Sequence, residues 1–173
     1  MASRLSGRAA AASVAAALFF AASIAAIAEI AADPTAEAGV RSSTWTPFRG
    51  VWSLIGGVDA FGGDWDFGTI AGGLVTMLVV ATALGLVGIA AIAYLLGPAP
   101  QPMAAMLVGA AWGLLVQIVV VSLLLGGLLG GMPAYDAVPP WAWWLSTGTW
   151  GIALGLLYSA PVGAGRRAGA GAA

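Results

Sequence analysis

The sequence contains neither cysteine nor histidine. The lack of cysteine excludes disulfides, thiolate nucleophiles and cysteine metal sites. The lack of histidine removes the commonest general base and metal ligand, so only a carboxylate or carbonyl site for a hard cation would remain. These two absences argue against a metalloenzyme, and we predict that the protein uses no cofactor.

Charge is also scarce, because Asp, Glu, Lys and Arg together make up 8% of the 173 residues, whereas 61% are hydrophobic. An average soluble domain has about 25% charged residues, and a water-soluble surface cannot be built from so few. The net charge is −1, which leaves no basic patch for nucleic acid phosphates. We therefore expect lipid as the solvent and no nucleic acid partner.

The hydrophobic residues are gathered into long runs, and about 20 helical residues are enough to cross a hydrocarbon layer of roughly 30 Å. Two of the runs contain no formal charge, and the three prolines between them break the helix and predict a tight antiparallel hairpin. We predict an all-α polytopic membrane protein, a four-transmembrane-helix bundle that forms one membrane domain over residues 1–173. The predicted spans are 9–32, 69–97, 103–131 and 141–162, with an outer loop at 33–68 and a cytoplasmic tail at 163–173.

The first run also fits a secretory signal peptide, cleaved after Ala28 or Ala38. Signal peptides use an apolar stretch of about 7–15 residues, and the run over 9–32 is longer than that. We therefore favour a retained helix. Cleavage would leave three spans.

The outer loop is rich in aromatic residues. Apolar residues between Trp45 and Ile55 follow one another at spacings of three and four, and Thr46 followed by Pro47 is a good helix start. This pattern predicts a short interfacial amphipathic helix in the headgroup region, where tryptophan is enriched. The predicted interface anchors are Trp45, Trp52, Trp141, Trp143 and Trp144.

The arginines predict the orientation of the chain. Arg4 and Arg8 precede the first run, and Arg166 and Arg167 follow the last one. The loop at 33–68 has an acidic excess instead. The positive-inside rule therefore places both termini in the cytoplasm, on the inner side of the cytoplasmic (cell) membrane, which an even number of crossings satisfies.

Glycines recur at small-xxx-small spacing, which lets helix backbones approach closely. Such a face could hold two copies together as a dimer or pack helices within one bundle, and we favour packing within the bundle. The predicted helix-packing residues are Gly68, Gly72, Gly109, Gly113, Gly151 and Gly155.

Few polar groups are available for chemistry. Gln117 lies in the middle of the third run and is predicted to make an interhelical hydrogen bond, with a substrate contact as the alternative. Asp64 and Asp66 could bind a divalent cation, although a solvated loop is the simpler interpretation. No nucleophile–base pair is recognisable, so we predict no catalytic residue and no enzyme. No run has an ionisable group at its centre, which argues against an ion-coupled carrier.

The fourth run contains Pro139-Pro140 and then Thr147-Gly148-Thr149-Trp150-Gly151-Ile152-Ala153-Leu154-Gly155-Leu156-Leu157-Tyr158. This stretch resembles the closing helix, His-x-x-[Trp/Tyr]-Gly-x-x-Leu-Gly-x-x-Tyr, of small uncharacterised prokaryotic multi-pass membrane proteins, including haloarchaeal ones. Thr147 stands where that pattern has histidine, so no role of an imidazole carries over. The resemblance covers one helix and its preceding loop and implies no activity.

Two hypotheses for function remain. The first is a non-enzymatic structural or accessory membrane component that contacts a copy of itself or another membrane protein. The alternative is a small passive transporter or channel subunit, acting as an oligomer, with Gln117 and hydroxyl groups along its path. The two hypotheses differ in whether Gln117 and the glycine faces meet at a polar cavity or at a dry, packed contact.

Overall fold

A computed structural model describes residues 2–31, 44–56, 66–128 and 138–160, with side chains described for 7–31, 44–56, 66–123 and 138–160. These ranges are helical apart from short connections and contain no strand, which confirms the all-α prediction. The predicted tail at 163–173 and the loop residues 33–43 and 57–65 lie outside the described residues.

The helices follow one another in chain order, and several begin at a proline or a capping residue. Proline lacks an N–H and has a fixed φ that suits the first helical turn, which explains the starts at Pro102 and Pro140. Gly97, with a φ of 85°, ends the helix before the proline-rich connection. The elements are α1 (Ala2–Ile30), α2 (Thr46–Gly56), α3 (Phe67–Leu96), α4 (Pro102–Val116), a π-helical segment that continues α4 (Gln117–Leu128), and α5 (Pro140–Ser159).

Three stretches in the described chain are long and apolar enough to cross a membrane: Gly7–Ile30, Phe67–Leu96 and Pro102–Leu123. The fourth predicted span corresponds to α5, which is 20 residues long but is not among these stretches. Its tryptophans, serines and threonines lower its mean hydropathy. Helix length and hydropathy therefore give three spans, and a fourth crossing by α5 is a proposal that we argue below.

The first helix buries one face. Its fully or nearly fully buried residues recur at spacings of three and four, which is the pattern of a helix with a single side against a core. Most of them are alanines, so neighbouring helices approach α1 closely. They are Ala12, Ser13, Ala16, Ala17, Ala21, Ile24, Ala25 and Ala28.

Helix α1 runs antiparallel to α3 and to α5. The guanidinium of Arg8 on α1 donates to the carbonyl oxygen of Ala160, 2.7 Å away, just beyond the end of α5. Ser13 Oγ donates to the carbonyl oxygen of Thr82 in the second half of α3, 2.6 Å away. We call the end of the bundle where Arg8 meets Ala160 the Arg8 end. The opposite end, where α2 lies, is the α2 end.

Two clusters of buried side chains form the core. One lies towards the α2 end, where α1 and α3 meet α2 and the start of α5, and it includes Ile24, Phe48 and Trp143. The other lies towards the Arg8 end and includes Ile92 and Leu154. The side chains in the core and those on the outer surface are therefore both apolar. They differ in whether they contact other helices.

Candidate functional site

A row of glycines forms a close backbone contact where α4 and α5 cross. A methyl group placed on Gly109 would lie 2.2 Å from the carbonyl oxygen of Gly151, and one on Gly151 would lie 2.1 Å from that of Gly109. Gly155 lies equally close to Ala105, and Gly113 to Thr147. Four of the six predicted packing glycines thus form one seam within the chain, which we call the glycine seam.

A buried polar group lies beside the glycine seam. Gln117 is fully buried, and its Oε1 lies 3.2 Å from the Oγ1 of Thr147 on α5. The Thr147 hydroxyl is also 2.9 Å from the carbonyl oxygen of Trp143 and 3.3 Å from that of Trp144, so its one proton is shared among three acceptors. Gln117 Nε2 donates to Ser122 Oγ at 3.4 Å. The amide thus joins two helices.

The π-helical backbone explains the second of these contacts. In a π-helix each backbone N–H donates to the carbonyl oxygen five residues earlier. Side chains five positions apart therefore lie on the same face, about one turn from each other. Gln117 and Ser122 have that spacing, as do Val116 and Val121, which both face the interior. π-helical turns are rare and frequently occur at functional sites.

We predict that Gln117 and Thr147 are energetically coupled. In a double-mutant cycle of Gln117→Leu and Thr147→Val, the coupling should be about 0.6–1.7 kcal/mol, the range of interhelical hydrogen bonds in membranes. The free energy of unfolding can be measured by titrating mixed micelles with a denaturing detergent. Thr149→Val is the matched control, because the Thr149 hydroxyl bonds only carbonyls of its own helix. Equal coupling in both cycles would contradict the prediction.

An apolar cavity of about 170 Å³ lies in the half of the bundle towards the α2 end. It separates α3 from the π-helical segment, and α5 forms one of its walls with Trp143, Thr147 and Trp150. Gln117 is not part of its lining. The full lining is Phe20, Val51, Leu54, Thr76, Met77, Val80, Ala81, Leu84, Val116, Val120, Val121, Trp143, Thr147 and Trp150.

Two polar groups on α5 have no hydrogen-bond partner among the described residues, the indole N–H of Trp150 and the hydroxyl of Ser146. Both side chains are buried. Buried Trp N–H groups usually find an acceptor. The ring of Trp150 packs against Phe20 of α1 at 6.1 Å between centroids, so the aromatic contact holds this residue in place.

The short helix α2 is docked on the first turns of α3. A methyl group on Gly73 would lie 1.8 Å from the carbonyl oxygen of Phe48, and one on Gly72 would lie 2.5 Å from the Trp52 ring. The predicted packing glycine Gly72 therefore contacts α2 of the same chain. Gly68 has only its own N-cap, Asp66, within contact distance.

The helix α2 begins at Thr46, where the sequence predicts a helix start, and its buried face holds Phe48 and Ser53. Val51 and Leu54 reach the cavity. The structure places one face of α2 over the end of the cavity, and the position of this helix in the headgroup region stays a prediction.

The predicted tryptophan anchors divide into two groups. Trp45, Trp141 and Trp144 are exposed on the part of the molecule at the α2 end. Trp52 is half-buried against Gly72, and Trp143 is 2% exposed and lines the cavity. The exposed rings suit a membrane interface or a protein partner, whereas the buried two pack the interior.

At the opposite end, Arg8 joins α1 to the end of α5. Its guanidinium donates to the carbonyl oxygens of Tyr158 and Ala160 and lies 5.1 Å from the centroid of the Tyr158 ring. A cation at a helix C-terminus is favoured by the helix dipole and by the unsatisfied last carbonyls. This contact brings the start of the first apolar run to the end of the last one.

Asp66 is the capping residue of α3. Its carboxylate accepts from the N–H groups of Gly68 and Thr69 and from the Thr69 hydroxyl, at 3.1, 3.0 and 2.6 Å. The bonds from Thr69, followed by that from Gly68, lower the pKa of Asp66 because they favour the charged form. Its predicted cation partner Asp64 lies outside the described residues, and the described part of the chain holds no group of three potential metal ligands.

The comparisons with known proteins add no relative: no family of proteins, no curated protein and no solved structure matches this chain. The resemblance of the last helix therefore rests on its own residues. At the position where that pattern has histidine, the structure places Thr147, buried beside Gln117.

Sequence reasoning did not single out several residues that organise this site. Gly73, Phe20 and Trp150 belong to this group. Gly73 sits next to the predicted Gly72, and a paired glycine at a helix start is a signal for close backbone approach. The sequence predicts only an effect of Arg8 on topology, because the carbonyl that it contacts lies 152 positions away in the chain.

Proposed function

We propose that the protein is a non-enzymatic structural or accessory component of the cell membrane, which crosses the bilayer four times with both termini in the cytoplasm. The observation that carries this proposal is the glycine seam. The helices meet in a backbone contact too close for water, and the Gln117 amide beside it is engaged with Thr147 and Ser122, so the described residues provide no polar path and no reactive pair.

The fourth crossing is supported by the packing of α5. Its glycines follow α4 from Gly113 back to Ala105, in antiparallel register. Because α4 belongs to a stretch apolar enough to span, a helix pressed along it over several turns shares its depth. The 20 residues of α5 rise about 30 Å, which is the thickness of the hydrocarbon core.

Retention of α1 is supported by its contacts. Arg8, Ser13 and Phe20 each contact another helix, and the buried face of α1 extends to Ala28. Removing residues up to Ala28 would take away one wall of the bundle and leave Trp150 without its ring partner. We therefore propose that α1 stays in the functional protein.

Topology can be tested with single cysteines, because the native chain has none. Cysteines are placed at Ser3, Ser43 and Ala170 and labelled with a membrane-impermeant maleimide in intact cells. We expect Ser43→Cys to be labelled, Ser3→Cys and Ala170→Cys to be protected until the cells are opened, and the purified protein to have its full mass. A mass lacking the first 28 or 38 residues would contradict the proposal.

The partner surface that we propose is the exposed group of Trp45, Trp141 and Trp144 at the α2 end, since the glycine seam is occupied within the chain. A photoreactive phenylalanine analogue at Trp141 is expected to give one defined protein adduct in native membranes. The matched control is the same analogue at Tyr94, which is 89% exposed in the last turn of α3, near the Arg8 end. Finding only monomers with both variants would reject an accessory role.

The alternative, a passive transporter or channel subunit, draws on Gln117. In the structure this amide is engaged with Thr147 and Ser122 and stands outside the cavity lining. Purified protein in liposomes should therefore give no flux of small polar solutes above that of empty liposomes. Flux that Gln117→Leu abolishes would favour the channel and overturn our choice.

A further inference from the structure

We propose that the apolar cavity is a binding site for one acyl chain of a bilayer phospholipid, which enters from the leaflet at the α2 end. This inference goes beyond the accessory role proposed above and holds whichever protein partner is found. It rests on the composition of the cavity wall, its opening, its size and its depth.

The composition of the wall excludes polar ligands. Of the fourteen lining residues, only Thr76 and Thr147 carry a hydroxyl. Thr76 Oγ1 donates to the carbonyl oxygen of Gly72 at 2.8 Å, and the Thr147 hydroxyl is shared among three acceptors. The remaining lining side chains are aliphatic and aromatic, and polar atoms, including the indole nitrogen of Trp150, contribute almost nothing to the cavity surface. A ligand therefore gains by filling space with apolar groups.

The cavity opens towards lipid. Most lining side chains are buried or half-buried, whereas Val80 on α3 and Leu54 on α2 are 46% and 43% exposed. At the inner end of the cavity, near the middle of α3, the indole N–H of Trp112 donates to the carbonyl oxygen of Leu84 at 3.1 Å and joins α4 to α3. The two helices are thus joined at one end, and the opening lies at Val80 and Leu54, where a membrane-spanning helix meets hydrocarbon.

The volume of the cavity suits a single acyl chain. A cavity of about 170 Å³ is comparable to an engineered apolar cavity of about 150 Å³ that holds one benzene molecule. A helix from another subunit is about 10 Å across and does not fit such a space. Water is disfavoured because the wall offers too few polar partners. An unbranched hydrocarbon chain matches both the volume and the chemistry.

The depth of the cavity fits an acyl chain whose headgroup lies at the membrane interface. The cavity follows α3 from Thr76 to Leu84, a rise of about 12 Å, and ends near the middle of that helix. The part of the cavity nearest the α2 end is covered by α2, beside the exposed tryptophans. A headgroup would lie at the level of α2, and only part of its chain would enter the cavity.

The test uses a phosphatidylcholine with a diazirine on the terminal carbon of one acyl chain, mixed into vesicles that hold the full-length protein. After illumination, adducts are mapped by peptide mass spectrometry. We expect adducts on the buried residues Met77 and Val116, which line the cavity, in addition to the lipid-facing surface.

Two variants fill the cavity from different walls, Ala81→Phe on α3 and Val120→Phe on the π-helical segment. Either should reduce the Met77 and Val116 adducts by about tenfold, which corresponds to about 1.4 kcal/mol of lost binding. Ala83→Phe is the matched control, because Ala83 is two residues from Ala81 on the same helix, exposed, and not part of the lining. Adducts on exposed Val79 should be equal in all variants.

The wild-type adduct map decides the question even if a filling variant does not fold. Adducts confined to exposed residues would overturn the proposal, because the chain would then never enter the cavity. Cavity adducts that both folded filling variants retain would also overturn it. A photoreactive phenylalanine analogue at Leu54 that gives an adduct with a second copy, and not with lipid, would show that another protein covers the opening, and this result would also overturn the proposal.

Discussion

Replacing Gly151 with alanine is expected to lower the free energy of unfolding by about 1–3 kcal/mol, the usual cost of overpacking a filled interior. The new methyl group would lie 2.1 Å from the carbonyl oxygen of Gly109 and 3.0 Å from the N–H nitrogen of Gly113. Both are backbone atoms and cannot rotate away, so α4 and α5 must separate. The measurement is the detergent concentration at which tryptophan fluorescence reports half-unfolding.

Gly148 provides the control for this prediction. A methyl group there would have its nearest neighbour, Leu114 Cδ2, at 4.0 Å, in ordinary contact. Gly148→Ala gains the helix propensity of alanine, about 0.8–1.0 kcal/mol, without a clash, so its midpoint should stay the same or rise. Equal midpoints for Gly148→Ala and Gly151→Ala would show that the seam is looser than the contact distances indicate.

Replacing Gly73 with alanine is expected to detach α2 from α3 while leaving the rest of the bundle intact. Its methyl group would lie 1.8 Å from the carbonyl oxygen of Phe48. A single cysteine at Ser53, which is buried on α2, reports the detachment through maleimide labelling. A clash worth about 1.4 kcal/mol raises the labelling rate about tenfold, and overpacking commonly costs that much or more.

Two controls limit this result to α2. Gly68→Ala has its nearest neighbour at 3.4 Å and should leave the Ser53→Cys labelling rate unchanged. A cysteine at Ser146, fully buried on α5, should stay protected in both backgrounds. Labelling of Ser146→Cys in the Gly73→Ala protein would mean that the whole bundle opens and that α2 is not a separate unit.

The glycine pattern shows what sequence spacing can and cannot predict. Small-xxx-small spacing predicts a face that allows close approach, and Gly109, Gly113, Gly151 and Gly155 lie at such a contact. The same spacing at Gly72 serves the docking of α2. Spacing is a local property, whereas the choice of partner depends on which helices the chain brings together, so the sequence could not assign the pairs.

The spanning stretches could be predicted from the sequence, whereas the cavity could not, and the reason is again the difference between local and non-local information. Charge-free apolar runs predict the spanning stretches directly, because the cost of charge in lipid leaves a local signal. Nothing local distinguishes the π-helical segment, since residues from Gln117 to Leu128 read as an ordinary apolar helix. The cavity depends on side chains from every helix, and Trp143 looks like its neighbours Trp141 and Trp144 until packing buries it.

The contact between Arg8 and Tyr158 also fixes an order of assembly during synthesis. The two residues are 150 positions apart, and at about 5–20 residues per second the second is made roughly 8–30 s after the first. During that interval α1 can pair with α3 through Ser13 and Thr82, but its arginine has no helix end to cap. A ribosome that stalls before α5 therefore leaves the glycine face of α4 without the helix that it packs against.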